Sequence, residues 1–115
     1  MTQLHAMLLS ILLETPVALG VARLRGNAGP VRPIILASVL GTCLTHPLVW
    51  PGFYFFTPLI GYGGAAVVLE VSAALVESAV YHKMTEAPIR TAMMMGCLAN
   101  AFSFGVGQVL NALAG

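Results

Sequence analysis

Residues 58–81, Pro-Leu-Ile-Gly-Tyr-Gly-Gly-Ala-Ala-Val-Val-Leu-Glu-Val-Ser-Ala-Ala-Leu-Val-Glu-Ser-Ala-Val-Tyr, make a run of 24 residues whose only charged members are Glu70 and Glu77. A helix crosses the hydrocarbon core of a bilayer with roughly 20 mostly apolar residues. The run therefore reads as a membrane-spanning helix. Pro58 suits its first turn, where a missing N–H loses no hydrogen bond.

Working outward, three similar runs cover about residues 4–22, 34–50 and 91–113. Three separators divide them. Arg23-Leu-Arg-Gly-Asn-Ala-Gly-Pro-Val-Arg-Pro33 combines charge with Gly, Asn and Pro, which is loop chemistry. In His46-Pro-Leu-Val-Trp-Pro-Gly52, two prolines and a glycine should halt a helix. His82-Lys-Met-Thr-Glu-Ala-Pro-Ile-Arg90 is a polar connection. The expectation is an all-α integral membrane four-helix bundle, one domain over residues 1–115. Gly61-Tyr-Gly-Gly64 reads as a helix-packing run rather than a phosphate loop.

Composition agrees. Of 115 residues, 58% are hydrophobic and 8% charged, and the mean hydropathy is +0.90. Soluble domains carry about 25% charged residues, so lipid must be the main solvent. A net charge of +1 offers no basic surface for nucleic acid and no acidic tail. The N-terminus lacks the charged start of a signal peptide and reads as a retained first helix. Cys43 and Cys97 fall within apolar runs and read as inert packing thiols, with no disulfide implied.

Arg23, Arg25, Arg32, Lys83 and Arg90 are all the basic residues, and all lie in the first and third separators. The positive-inside rule puts those loops in the cytoplasm and both termini on the non-cytoplasmic side. Trp50, Phe53, Tyr54, Phe55 and Phe56 would form an interfacial aromatic belt at the outer end.

Each run carries one stripe of small and polar residues at helical spacing, the kind that packs helices together in lipid. The stripes are Ser10, Glu14, Ala18; Ser38, Thr42, His46; Gly63, Ala66, Glu70, Ala73, Ala74, Glu77; and Gly96, Asn100, Ser103, Gly107, Asn111. At about 1.5 Å per residue, Glu14, Glu70 and Asn100 should share one layer. Glu77 should lie about 10 Å nearer the cytoplasm, within reach of Lys83 or Arg90.

No run contains Lys or Arg, yet two of them hold three glutamates at depth: Glu14, Glu70 and Glu77. A carboxylate at mid-membrane costs a few kcal/mol even on lenient scales. These acids must be protonated, bound to a cation, near water, or answered by another chain. Glu14 and Glu70 are thus either acids hydrogen-bonded to Asn100 or Thr42, or a proton or ion site. The candidate polar core is Glu14, Glu70, Asn100, His46, Thr42, Glu77 and Ser103.

A metal held by Glu14, His46 and Glu70 would suit Zn, Mn or Fe, although no Glu-x-x-His or His-x-x-x-His pair supports it. His5 lies about 180° around its helix from Glu14, which excludes it from that site and from sharing a haem with His46. His82 reads as a solvated loop residue. No Ser or Cys stands beside a base at a catalytic spacing, so enzyme activity is not indicated.

Thr45-His-Pro47, Glu70 and Glu77 with six residues between them, and Asn100-x-x-Ser103-Phe104-Gly105-x-Gly107 together resemble a group of small bacterial membrane proteins of uncharacterised function. The resemblance spans roughly residues 38–107. It implies a four-helix bundle in the bacterial inner membrane and carries no reaction.

Three functions are consistent with this reading. The first is a non-catalytic accessory subunit of a larger membrane complex, because the chain is small, lacks catalytic motifs and has acids that a partner's helices could answer. The second is a proton- or cation-coupled transporter acting as a homo-oligomer. The third is an intramembrane metal-binding protein. Cofactors are not specified; the lipid-facing aromatic and Met residues suit a pigment, a quinone or plain lipid equally.

Overall fold

Thr2 starts the first helix by accepting a hydrogen bond on its side chain from the His5 N–H at 3.2 Å, the usual role of a Thr N-cap. Gly26 ends that helix in the left-handed conformation (φ 70°), its N–H reaching the Ala22 carbonyl. In the computed structural model, which describes residues 2–114, this helix is α1 (Gln3–Arg25). It is followed by α2 (Val31–Met84) and α3 (Ile89–Ala114). All three are long and apolar enough to cross a membrane.

Four separate helices were expected and three are found. The second and third runs belong to one element of 54 residues. Pro47, Pro51 and Pro58 lie inside it and do not stop it. The reason is the surroundings. Where water is scarce, a backbone that leaves the helix has nothing to bond with, so proline is tolerated wherever the freed carbonyl finds another donor. Pro51 has no N–H to offer the Pro47 carbonyl, and Gln3 Nε2 on α1 faces that oxygen at 3.5 Å.

The interruption comes instead at Gly61. Its φ of 79° and ψ of 167° lie in a region essentially reserved for glycine. A straight 54-residue helix would be about 81 Å long, twice the molecule's longest extent of 41 Å. The two arms of α2 fold back on each other at this residue. Phe53 stacks on Tyr62 with centroids 5.2 Å apart, and Thr45 Oγ1 donates to Glu77 Oε2 at 3.0 Å.

This fold-back collects the basic residues at one end. The α1–α2 and α2–α3 connections lie side by side, with the Glu86 N–H donating to the Ala28 carbonyl at 3.2 Å. Arg25 Nε donates to Thr91 Oγ1, which donates to Asn27 Oδ1. His82 belongs to the last turn of α2 and is exposed to solvent as expected, while its Nδ1 faces the Ala87 carbonyl at 3.0 Å. At the other end, Gly61 lies with the start of α1 and the end of α3, where Gln108 Nε2 donates to Tyr62 Oη.

The interior is small and polar. Ala18, Ala37, Ala65, Ala92 and Ala99 are buried, while Leu, Val and Ile side chains dominate the outer faces. At Gly96 of α3 the helices approach so closely that a Cβ would collide with Ser78 Oγ, and would meet the Ala74 carbonyl oxygen and Ser78 nitrogen at 2.9 Å. Gly41 likewise lies against the Glu77 side chain. Close approach through small residues is how helices gain packing when lipid supplies no hydrophobic drive between them. Cys43 and Cys97 are free thiols on the exposed outer faces, not in the packed interior.

Candidate functional site

Helical spacing carries Glu14 of α1 and Glu77 of α2 inward, and each is only 2% exposed. Their carboxyl groups lie close together on the wall of one cavity. Each acid also commits one oxygen elsewhere. Ser103 Oγ on α3 donates to Glu14 Oε2 at 2.7 Å, and Thr45 Oγ1 donates to Glu77 Oε2. The second oxygen of each, Oε1, has no hydrogen-bond partner among the described residues.

The surroundings are hydroxyl-rich. Thr45 Oγ1 is also near the Gly41 carbonyl at 3.1 Å. Thr15 and Ser38 hydroxyls lie 2.8 Å apart. Tyr81, four residues after Glu77, is fully buried, with its phenol next to Ser38. Asn100 Nδ2 donates to the Gly96 carbonyl at 2.8 Å, and its amide also borders Glu77. Thr42 is buried on the same arm of α2 as Thr45.

The depth expected for Glu77 is corrected here. Glu77 faces Glu14 and Thr45 in the bundle rather than Lys83 or Arg90. The cause is the back-to-back packing of the two α2 arms, which sets Glu77 against Gly41, where no side chain keeps it out. Glu70 is half-buried one layer higher, nearer Gly61.

A cavity of about 440 Å³ runs from this pair toward the Gly61 end of the bundle. Glu14, Glu77, Thr45, Asn100 and Ser103 line its inner part, Glu70 and His46 its middle. Trp50, Phe53, Tyr54, Tyr62, Phe104 and Asn111 line the outer part. Thr42 is not among its lining residues. His46 Nε2 is buried without a hydrogen-bond partner among the described residues. No Lys or Arg touches the cavity.

Among the described residues, no three His, Cys, Asp or Glu side chains are grouped closely enough to hold a metal ion. Glu14, His46 and Glu70 share the cavity wall without forming a coordination set, so the metal-binding alternative gains nothing from the geometry.

Comparison with known proteins found no matching family model, no matching relative and no matching solved structure. Sequence reasoning passed over Tyr81, Thr15 and Gln3. Tyr81 was legible as the next i+4 step on the Glu77 stripe. Thr15 and Gln3 carried no such signal, because their partners come from helices distant in sequence.

Proposed function

We propose that this small polytopic membrane protein is a proton- or cation-coupled transporter. The single observation that carries the reading is the cavity: it leads from one end of the bundle to the buried Glu14–Glu77 pair and is lined by three glutamates with no Lys or Arg. Intramembrane ionisable groups lining a cavity mark ion or proton sites by default. Glu14 and Glu77 serve as the exchange site, with Ser103, Thr45 and Asn100 holding their orientation.

In this reading α2 crosses the membrane twice, turning at Gly61, so that the chain spans four times. The basic connections face the cytoplasm of a bacterial inner membrane, and the cavity opens outward. A bundle of four short helices filled by side chains would leave little room for a pathway and would support the accessory-subunit reading. A cavity of about 440 Å³ removes that support, since ligand sites commonly occupy about 300–1,000 Å³.

The test is flux into proteoliposomes holding the purified protein and a pH-sensitive dye. An imposed cation gradient should drive proton movement in wild type, and Glu14→Gln and Glu77→Gln should each abolish it while the protein stays monodisperse. Unchanged flux in both variants overturns the reading. Absence of flux, with co-purification of a second membrane protein at fixed stoichiometry, returns the accessory subunit.

A further inference from the structure

The outer half of the cavity has a chemistry of its own. Trp50 and Phe53 on the first arm of α2, Tyr62 just past the turn, and Phe104 on α3 give it aromatic walls. Phe53 and Tyr62 stack on each other, and Gln108 Nε2 donates to Tyr62 Oη. Below these rings, Glu70 is half-buried, and no hydrogen bond to Glu70 is formed within the bundle among the described residues. At the same level, the buried ring nitrogen Nε2 of His46 has no partner among the described residues.

We propose that this half binds a protonated organic amine bearing a flat apolar ring. Glu70 is its counter-ion, a neutral His46 accepts one ammonium hydrogen at Nε2, and the ring lies among the aromatic side chains. The assignment rests on the transporter reading for its purpose, but not for its binding chemistry.

Each feature excludes a competitor. An anion would meet three carboxyl groups and no Lys or Arg. A bare metal ion lacks a ligand set and would not use aromatic walls. A neutral aromatic solute would leave Glu70 and His46 Nε2 desolvated without compensation, which is costly in a low-dielectric site. A cation beside Trp or Tyr gains from the ring quadrupole, and more so where water is excluded. A primary amine also supplies several N–H donors to the two acceptors, which a quaternary ammonium cannot.

Trp50 is the only tryptophan, so its fluorescence reports on the site directly. Purified wild-type protein in neutral detergent is titrated with phenethylamine, with 2-phenylethanol as the uncharged analogue and with the N,N,N-trimethyl derivative. The amine should change Trp50 emission saturably. The alcohol and the trimethyl form should each bind about tenfold or more weakly, the factor that corresponds to losing one modest polar interaction. Glu70→Gln should weaken the amine by a similar factor, whereas Glu86→Gln, in the connection at the opposite end, should not.

Equal affinity for amine and alcohol, or no saturable change with any of the three, overturns the proposal, and that comparison needs no variant to fold. Ion flux without amine binding would sink this assignment and leave the transporter reading standing. Amine binding without flux would do the reverse.

Discussion

Replacing Gly96 by Ala tests whether α2 and α3 touch as closely as the fold requires. The added Cβ would collide with Ser78 Oγ and lie 2.9 Å from both the Ala74 carbonyl oxygen and the Ser78 nitrogen. The hydroxyl can rotate away, but the two backbone atoms cannot. Restoring ordinary contact needs a separation of about half an ångström, which already forfeits about a quarter of the dispersion well for each pair of atoms along the seam. Such overpacking costs about 1–3 kcal/mol, against which the better helix propensity of Ala returns up to about 1 kcal/mol.

The net loss should therefore be about 1–2 kcal/mol. It is read from SDS titration of the protein in mild detergent, following helicity by circular dichroism. Gly105→Ala is the control, since a Cβ there meets nothing within 4 Å and should be neutral or stabilising. Ser78→Ala in the Gly96→Ala background should recover little, because the backbone contacts persist. If Gly96→Ala matches wild type, or if Ser78→Ala restores it fully, the close backbone approach is wrong.

Gly61→Ala puts a Cβ on a residue with φ 79° and ψ 167° and should destabilise the fold-back by about 1–3 kcal/mol, seen in the same titration; a variant as stable as wild type would mean the turn lies elsewhere. Thr45→Val keeps the shape but removes the donor to Glu77 Oε2, which should cost about 1–3 kcal/mol for a buried acceptor left without its partner, and no change would show that Glu77 is satisfied by other groups. Pro51→Ala supplies the missing N–H for the Pro47 carbonyl that Gln3 faces. Gln3→Ala should then destabilise the parent by about 0.5–1.5 kcal/mol but leave the Pro51→Ala protein nearly unaffected, and equal effects in both backgrounds would deny the contact.

Much of the architecture was legible from composition and spacing. Nine charged residues in 115 point to a lipid environment, and apolar runs of spanning length point to helices, because in lipid each backbone group must be satisfied within its own segment. The small-and-polar stripes foretold which faces turn inward, as Glu14, Ser38, Ala74 and Asn100 show. The gathering of Arg23, Arg25, Arg32, Lys83 and Arg90 in two separators already required those separators to share one side.

Tertiary structure decided the rest. Proline and glycine between residues 47 and 52 suggested a helix end, yet the break falls at Gly61, because a donor from another helix can reach a proline-freed carbonyl and sequence does not announce that donor. Counting residues along the helices put Glu77 in a different layer from Glu14. The register of the two α2 arms, set by Gly41 admitting the Glu77 side chain, brought the two carboxyls together and left Glu70 alone higher in the cavity. Spacing along one helix fixes which side a residue faces, but its height against a neighbouring helix depends on which small residue lets the backbones meet, and that is a property of the packed pair.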